Sequence, residues 1–164
     1  MNIVGIDCGL DGILANIDDK GYVGFEPTPT LPKGKSGRQY DDAEMARLLR
    51  ATTPGMVVLE KQQAMPGQGV SSMFSVGLGF GLWRGIVAAL GLRVLIVHPR
   101  TWQAVMLRDI PGADTKSRSI IAAKRLFPAA VLRRSARGKK DDHNIADAIL
   151  LAGYGKLWLA GKGA

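Results

Sequence analysis

The order of the apolar segments along the chain constrains its fold more than any other feature of the sequence. Three short β-prone segments come first, at residues 2–6, 13–17 and 22–25, and turns rich in Gly and Asp separate them. The later apolar segments alternate with helical patterns, in the order β β β α β α β α α. The opening segments predict an antiparallel meander, and the later strands must enter through helical crossovers. We therefore predict an α/β domain with a mixed five-stranded sheet flanked by helices.

Helix caps, breakers and short apolar runs place the remaining elements. Residues 27–39 include three Pro and two Gly, and we expect an irregular, mobile loop there. Asp41 or Asp42 caps the first helix, and Asp114 or Thr115 caps the fourth. The predicted strands lie at 56–59 and 93–97, and the predicted helices at 42–49, 72–90, 101–106 (one or two turns), 115–126 and 142–158.

Length and composition favour one cytoplasmic domain. A chain of 164 residues without an internal repeat or a linker is expected to form a single domain, residues 1–164. The single cysteine excludes an internal disulfide framework and a multi-cysteine zinc site. The N-terminal segment lacks a basic region and contains Asp7, so no signal peptide is predicted and a cytoplasmic location is expected.

One segment is apolar enough to require comparison with a membrane span. Residues 73–92 carry a single charge, Arg84, and their length would permit a crossing. However, Arg84 lies near the middle, where a charge is costly in lipid, and the segment contains five glycines. We therefore predict a buried helix of a soluble domain and no membrane partner.

The positive charge of the chain is concentrated in one segment. The formal net charge is +8. Residues 100–140 contain 11 Lys and Arg against 2 Asp and Glu, a net charge of +9, whereas the rest has 11 basic and 12 acidic residues, a net charge of −1. A basic block of this kind indicates either a polyanionic partner, with nucleic acid first, or a solvated basic face.

Three acidic residues occupy positions that are unusual for surface carboxylates. Asp7 and Glu60 each follow an apolar strand, and Asp147 lies within an apolar stretch of the last helix. A carboxylate in such a place is costly unless it is compensated. If the three side chains converge, their mutual repulsion requires a cation, and oxygen ligands suit Mg²⁺ or Mn²⁺. Taken singly, each residue is better explained as an ordinary strand-end acid or an ion-pair partner, but together with the fold order and the basic segment the three favour a site.

The start of the last helix offers further candidates for the same site. His143 and Asp147 are four residues apart and therefore lie on one helix face. Asp142 is about 140° around the helix from Asp147, so the geometry favours His143 over Asp142 as a second ligand or a general base. Asn144 faces the same side as Asp147 but carries no charge. The ranking weakens if Asp142 is the N-cap and its side chain projects freely.

Three motifs, in this order, resemble one known family. They are Gly5-Ile6-Asp7-Cys8-Gly9-Leu10, then Val58-Leu59-Glu60 with a Gln- and Met-rich loop, and then Asp142-His143-Asn144-Ile145-Ala146-Asp147-Ala148. Together they resemble the RuvC-type Holliday-junction resolvases of the ribonuclease H-like, retroviral-integrase superfamily. The compact length and the run Pro99-Arg100-Thr101-Trp102 are most similar to phage and prophage members. The first motif alone also occurs in actin-like sugar kinases.

The resemblance implies a ribonuclease H-like fold and a metal-dependent endonuclease. Asp7, Glu60 and Asp147 would be catalytic carboxylates, with Asp7 bridging two Mg²⁺ ions, for which Mn²⁺ would substitute. The ions would activate a water and stabilise the leaving 3′ oxygen. The family places a fourth acidic or histidine ligand one turn before the last carboxylate, which here is His143 or Asn144, with Asp142 just before them. Such enzymes are homodimers that nick two strands of a four-way junction symmetrically and leave 5′-phosphates.

The basic segment and the loop after Glu60 supply the expected DNA contacts. Lys116 resembles a family lysine near the active site and is also a candidate catalytic residue. In the family, the loop after Glu60 probes the junction centre, and the candidates here for an apolar wedge are Gln63, Met65 and Phe74. Phe74 is equally consistent with simple core packing. The candidate phosphate contacts are Lys116, Arg118, Lys124, Arg125, Arg133, Arg134, Arg137, Lys139 and Lys140.

One face of the helix at 72–90 is nearly bare, because Gly77, Gly81 and Gly85 recur every four residues. Each glycine costs the helix about 1 kcal/mol relative to alanine. Close approach of another backbone is therefore expected, from a partner helix in a dimer, the sheet below or DNA, and we favour the dimer.

Other functions fit parts of the same sequence. A ribonuclease H-like or flap-cutting nuclease would differ only in its substrate preference. A non-catalytic module that binds branched DNA would need the basic segment but not the three acids. An actin-like phosphotransferase is excluded, because it needs a second domain that 164 residues cannot hold.

Overall fold

The computed structural model describes residues 1–63, 67–135 and 137–163. The strands are β1 (Ile3–Ile6), β2 (Ile13–Ile17), β3 (Val23–Pro27), β4 (Thr30–Lys33), β5 (Gly37–Tyr40), β6 (Met56–Glu60) and β7 (Val94–Val97). The helices are α1 (Asp42–Ala51), α2 (Val70–Ala89), α3 (Pro99–Met106), α4 (Thr115–Leu126) and α5 (His143–Leu159).

The main sheet has five strands in the order β3-β2-β1-β6-β7. The pairs β3–β2 and β2–β1 are antiparallel, whereas β1–β6 and β6–β7 are parallel. This arrangement confirms the predicted mixed sheet. Its central strands β1 and β6 are buried on both faces, because helices cover each side of the sheet.

The two faces of the sheet form separate hydrophobic cores. On one face Ile3, Met56 and Val58 pack with residues of α3, α4 and α5. On the other face Val4 and Leu59 pack with residues of α1 and α2. A sheet between two helical layers follows directly from the alternation of strands and helices along the chain.

Helix α5 packs closely against the centre of the sheet. A Cβ atom added at Gly5 of β1 would lie 2.2 Å from the carbonyl oxygen of Ala148 and 2.5 Å from the amide nitrogen of Ala152. A Cβ atom at Gly155 would lie 2.6 Å from a methyl group of Val58 in β6. Small residues on both surfaces therefore let the α5 backbone approach β1, which fixes the depth of the last helix over the sheet.

The expectation of an irregular, mobile loop at residues 27–39 was wrong. Strands β4 and β5 form a separate antiparallel hairpin in this region, with Thr30 paired to Tyr40 and Lys33 paired to Gly37. Gly34 supplies a positive φ of 60° in the turn. The hairpin escaped prediction because most of its side chains are exposed, so its strands show no alternation of apolar and polar residues.

The expectation that residues 73–92 form a buried helix was also wrong. Helix α2 buries only Gly79, Trp83 and Val87, whereas the side chains of Phe74 and Val70 are 71% and 79% exposed. By length and composition α2 is long and apolar enough to cross a membrane. Within its most apolar 18 residues, 17% of the residues are buried. Hydropathy predicted the helix correctly but cannot distinguish an apolar surface covered by the same chain from one that is not.

Candidate active site

Asp7 and Glu60 lie side by side at one edge of the sheet. Strands β1 and β6 are parallel neighbours, and Ile6 pairs with Leu59. Asp7 follows the last residue of β1 and Glu60 is the last residue of β6, so both side chains are placed at the carboxyl edge, where α/β proteins commonly bind ligands. The chain turns sharply after Asp7, since its amide bonds to the Ile13 carbonyl at 3.0 Å.

The carboxyl group of Asp7 is held in an unfavourable electrostatic position. Burial, with the nearby charge of Glu60, raises the pKa of Asp7 from 3.8 to about 6. A backbone hydrogen bond from Gly9 and the charge of Arg134 act in the opposite direction, but they do not offset the burial. A group that is costly to ionise at the edge of a sheet is typical of a functional site rather than of a structural one.

Glu60 is held by two hydrogen-bond donors. The indole Nε1 of the buried Trp102 donates to Oε1 at 2.8 Å, and the amide of Gln62 donates to Oε2 at 3.3 Å. Burial raises the pKa of Glu60, and both hydrogen bonds lower it. Sequence reasoning missed this role of Trp102, because a contact between α3 and the end of β6 leaves no local spacing signal.

Asp147 is presented to the same edge by the second turn of α5. Its Oδ1 atom is buried and has no hydrogen-bond partner in the described part of the chain. The pKa of Asp147 is raised from 3.8 to about 7, chiefly by burial; the charges of Asp7 and Glu60 act in the same direction, and Ser119 and Lys116 act against it. The charges of Asp7 and Glu60 therefore reach Asp147, and that of Glu60 reaches Asp7, as their convergence requires.

The carboxylates fit a divalent cation, although they do not close into a ready-made ligand set. Among residues 1–63, 67–135 and 137–163, no three acidic, histidine or cysteine side chains form a metal cluster. The unpartnered Oδ1 of Asp147 and the mutual repulsion of the acids are both relieved by a cation, and all the donors are carboxylate oxygens. Hard oxygen donors suit Mg²⁺ or Mn²⁺. Asp7, Glu60 and Asp147 are the residues that would hold it.

The N-terminus of α5 distinguishes Asp142 from His143. Asp142 is the N-cap, and its Oδ1 accepts from the Asn144 amide at 2.9 Å while its Oδ2 pairs with Arg134. Asp142 therefore does not project freely, although its charge still raises the pKa of Asp7. His143 is the first residue of α5, one turn before Asp147, and burial together with the charge of Lys116 lowers its pKa. A neutral imidazole is the form that binds a metal or accepts a proton.

The predicted phosphate contacts divide into exposed cations and cations with structural partners. Arg118 donates to the Leu107 and Ile110 carbonyls at 2.7 and 3.1 Å, and Arg134 bonds to Asp142 and to the Asp11 carbonyl. Lys124 pairs with Asp141 but remains exposed. Arg134 is exposed as well but is held by Asp142 and Asp11, and the other exposed members are Lys116, Lys124, Arg125, Arg133, Arg137, Lys139 and Lys140. Because Lys116 also influences both Asp147 and His143, the basic surface reaches the acids.

The three wedge candidates have different surroundings. The amide of Gln63 bonds to the ring nitrogen Nδ1 of His98 at 3.0 Å. Phe74 is exposed in the first turns of α2, so its interpretation as a core residue was wrong. Met65 lies outside the described residues.

Comparison with known proteins shows similarity of fold and no match of sequence. No family model matches the chain, and neither does any curated protein. RuvC from Thermus thermophilus superposes with a TM-score of 0.61 and 17% identity, over 99% of this chain and 98% of that one. T. thermophilus RuvC in complex with a Holliday junction substrate gives a TM-score of 0.61 and 13% identity, over 99% and 97%. The yeast mitochondrial Holliday junction resolvase Ydc2 gives 0.53 and 15%, over 92% and 75%.

These likenesses confirm the predicted fold. The chain has the ribonuclease H-like fold of the RuvC-type resolvases, and the match with T. thermophilus RuvC extends over nearly the whole of both chains. The five-stranded order β3-β2-β1-β6-β7, with helices on both faces, is the architecture that the three motifs implied.

Proposed function

We propose that this chain is a Mg²⁺-dependent endonuclease that resolves four-way and other branched DNA by symmetric paired nicks. The observation that carries the proposal is the meeting of Asp7, Glu60 and Asp147 at one sheet edge, within a fold shared with structures of Holliday junction resolvases. Three partly buried acids, with the pKa values of Asp7 and Asp147 raised by burial and by acidic neighbours, are costly to a chain that only binds DNA. This cost favours a catalytic role over the alternative of a non-catalytic DNA-binding module.

The residues of the site divide the work of phosphodiester hydrolysis. Asp7, Glu60 and Asp147 would hold Mg²⁺, with His143 as a further ligand or a proton acceptor. When bound, a pair of such ions activates a water and stabilises the leaving 3′ oxygen. Lys116, exposed and close enough to lower the pKa of Asp147, is placed to pair with the scissile phosphate. The scaffold contributes by holding these groups in position before the substrate arrives.

The exposed cations between α4 and α5 bring DNA to the acids. The loop from Arg133 to Lys140 leads directly into the helix that carries Asp147. Each phosphate contact by Lys or Arg releases counterions, so binding weakens steeply with salt. The exposed aromatic ring of Phe74 is available to stack on an unpaired base at a junction centre.

Paired nicking needs two active sites, and α2 offers the surface on which they can associate. Cβ atoms added at Gly77, Gly81 or Gly85 would meet nothing within 4 Å, so this face is open and does not pack on the sheet. An apolar helix that its own chain leaves uncovered gains free energy when it packs on a second copy. We expect a dimer in size-exclusion chromatography at micromolar concentration. Gly81→Lys should give a monomer, whereas the exposed control Ala160→Lys should not.

Cleavage of a synthetic four-way junction with Mg²⁺ tests the proposal. Wild type should introduce two symmetric nicks, and Asp7→Asn should bind the junction without cutting it. Asp19→Asn, an exposed acid at the opposite end of the sheet, should cut normally. Cleavage by Asp7→Asn at the wild-type rate would refute the assignment of the site.

A panel of other substrates separates the remaining functions. Faster cutting of a flap or an RNA–DNA hybrid than of a junction would make the protein a different nuclease of the same fold. Junction binding without cleavage of any substrate, in Mg²⁺ or Mn²⁺, would make it a binding module.

A further inference from the structure

The β4–β5 hairpin carries positive charge that the proposed site does not yet use. Residues 27–40 contain Lys33, Lys35 and Arg38 and no acidic residue. All three cations are exposed, and the hairpin pairs with no strand of the main sheet. Only Tyr40, at its end, belongs to the hydrophobic core. Most of the hairpin therefore contributes a charged surface rather than core packing.

The base of the hairpin is fixed to the loop that follows Asp7. The hydroxyl of Tyr40 lies within hydrogen-bond distance of two carbonyls, Ser75 of α2 at 2.9 Å and Cys8 at 3.2 Å, and its single proton is shared between them. On the other side of the base, just before β4, the Thr28 amide donates to the Gly12 carbonyl at 2.9 Å. Two separate attachments on residues 8–12 hold the hairpin beside the carboxylates.

Asp11 links the hairpin to the basic loop, the segment from Arg133 to Lys140 between α4 and α5. Its carboxylate Oδ1 pairs with the guanidinium of Arg38 at 2.7 Å. Its carbonyl accepts hydrogen bonds from Arg134 and from the Asn144 side chain, the latter at 3.1 Å. The hairpin and the basic loop therefore meet at one residue, four positions after Asp7. Exposed cations therefore lie on both sides of Asp11, Lys33 and Lys35 on the hairpin and Arg133, Arg137, Lys139 and Lys140 on the loop.

Lys33 and Lys35 are the cations of the hairpin that remain available to a ligand. Arg38 is paired with Asp11, whereas in the described part of the chain neither lysine forms an ion pair. The lysines flank the turn at Gly34, where the hairpin projects farthest from its attachments. Two unpaired lysines on a projecting ribbon suit phosphate groups, which require charge but no base-specific geometry.

We propose that the β4–β5 hairpin is a second DNA-binding element, which contacts the phosphate backbone of a duplex arm through Lys33 and Lys35. The inference rests on the proposed nuclease function, because it takes the acids as the point to which the DNA is led. It extends the DNA surface beyond residues 100–140, so that one bound arm lies along the hairpin as well as along the basic loop.

The salt dependence of junction binding tests this proposal. The double variant Lys33→Ala/Lys35→Ala is compared with Lys20→Ala/Lys162→Ala in an Asp7→Asn background, so that bound DNA is not cut. Lys20 lies in the β2–β3 turn and Lys162 follows α5, at the opposite end of the sheet from Asp7. Both double variants remove the same charge, so the net charge of the protein is matched.

Loss of two phosphate contacts should reduce the slope of log K against log salt by about 1.8. The ratio of wild-type to variant affinity should then shrink about 12-fold between 50 and 200 mM salt. The control should keep the wild-type slope and affinity. An unchanged slope in Lys33→Ala/Lys35→Ala, or an equal reduction in both double variants, would overturn the role of the hairpin.

Failure of the hairpin proposal is distinguishable from failure of the proposed function. Junction cleavage by the wild-type chain, measured alongside, reports on the nuclease assignment alone. Normal cleavage by wild type, with an unchanged salt slope in Lys33→Ala/Lys35→Ala, would refute only the DNA-binding role of the hairpin. Absence of both cleavage and junction binding in wild type would refute the proposed nuclease function as well.

Discussion

The indole nitrogen of Trp102 donates a hydrogen bond to Oε1 of Glu60 at 2.8 Å, which ties α3 to the carboxyl end of β6. The Trp102 side chain is buried, with 1% exposed. Burial raises the pKa of Glu60, and the hydrogen bond from Trp102 lowers it. The bond occupies Oε1 of Glu60 and so fixes the orientation of the carboxylate, whose Oε2 accepts the longer bond of 3.3 Å from Gln62. Trp102 is therefore a positioning residue for the site.

Trp102→Phe should raise the Mg²⁺ concentration needed for cleavage and move the acid limb of the pH profile to higher pH. Loss of the donor leaves Glu60 easier to protonate, and a hydrogen bond to a charged acceptor is worth about 1.5–3 kcal/mol. Trp83→Phe is the matched control, because the Trp83 indole nitrogen is buried without a partner in the described residues. Mg²⁺ titrations of the two variants should differ; identical titrations would show that Trp102 only packs.

His143→Ala should reduce the cleavage rate more than Asp142→Ala. Both Asp142 oxygens are already engaged, by the Asn144 amide and by Arg134, whereas His143 lies one turn before Asp147. Asp142→Ala should instead lower the free energy of unfolding by about 1 kcal/mol, through loss of the α5 N-cap. Single-turnover cleavage and thermal unfolding separate the two effects. A larger rate loss in Asp142→Ala would make Asp142 the fourth ligand.

The metal-free protein should become less stable as pH rises from about 4 to 7. Burial and acidic neighbours raise the pKa of Asp7 to about 6 and of Asp147 to about 7, so the folded chain keeps protons that the unfolded chain releases near 3.8. Where the native state binds more protons, the free energy of unfolding falls with pH, by about 1.4 kcal/mol per pH unit for each group.

Thermal unfolding in EDTA across this range measures the effect. In Asp147→Asn, the free energy of unfolding should fall less steeply with pH, and the variant should unfold at a higher temperature than wild type at pH 8. The exposed control Glu26→Gln should behave as wild type. Addition of Mg²⁺ at pH 8 should stabilise wild type and not Asp147→Asn. A slope unaffected by Asp147→Asn would contradict the electrostatic account of the site.

Gly5→Ala should impair both stability and cleavage. Its Cβ atom would lie 2.2 Å from the Ala148 carbonyl oxygen, which forces α5 away from β1 and moves Asp147 relative to Asp7. Overpacking of this kind costs about 1–3 kcal/mol. Gly9→Ala, whose Cβ atom would meet no atom closer than 3.7 Å, is the control for a glycine near the site. Equal melting temperatures and cleavage rates in the two variants would show that α5 adjusts without cost.

The strands and caps could be predicted where one local signal decides them. Helix α4 spans Thr115–Leu126 as expected, because Asp114 caps it and Phe127-Pro128 ends it. The placement of Asp7 and Glu60 at the ends of neighbouring apolar strands, and of Asp147 within an apolar stretch of α5, also follows from local signals. The hairpin and the Trp102–Glu60 bond could not, because both depend on contacts between residues distant in the chain. The exposure of α2 was missed because hydropathy does not report what covers an apolar face.

The pairing of β1 with β6 has a consequence for the order in which the molecule comes apart. Interior strands of a sheet exchange their amide protons only when the whole domain opens, whereas a lone two-stranded ribbon opens locally at much lower cost. Asp7 and Glu60 lie at the ends of strands of the first kind, whereas Lys33 and Lys35 belong to a ribbon of the second kind. As denaturant rises, the ribbon should therefore open while the acids stay assembled, so under the proposed function the part of the DNA affinity that depends on Lys33 and Lys35 should be lost at a lower denaturant concentration than cleavage.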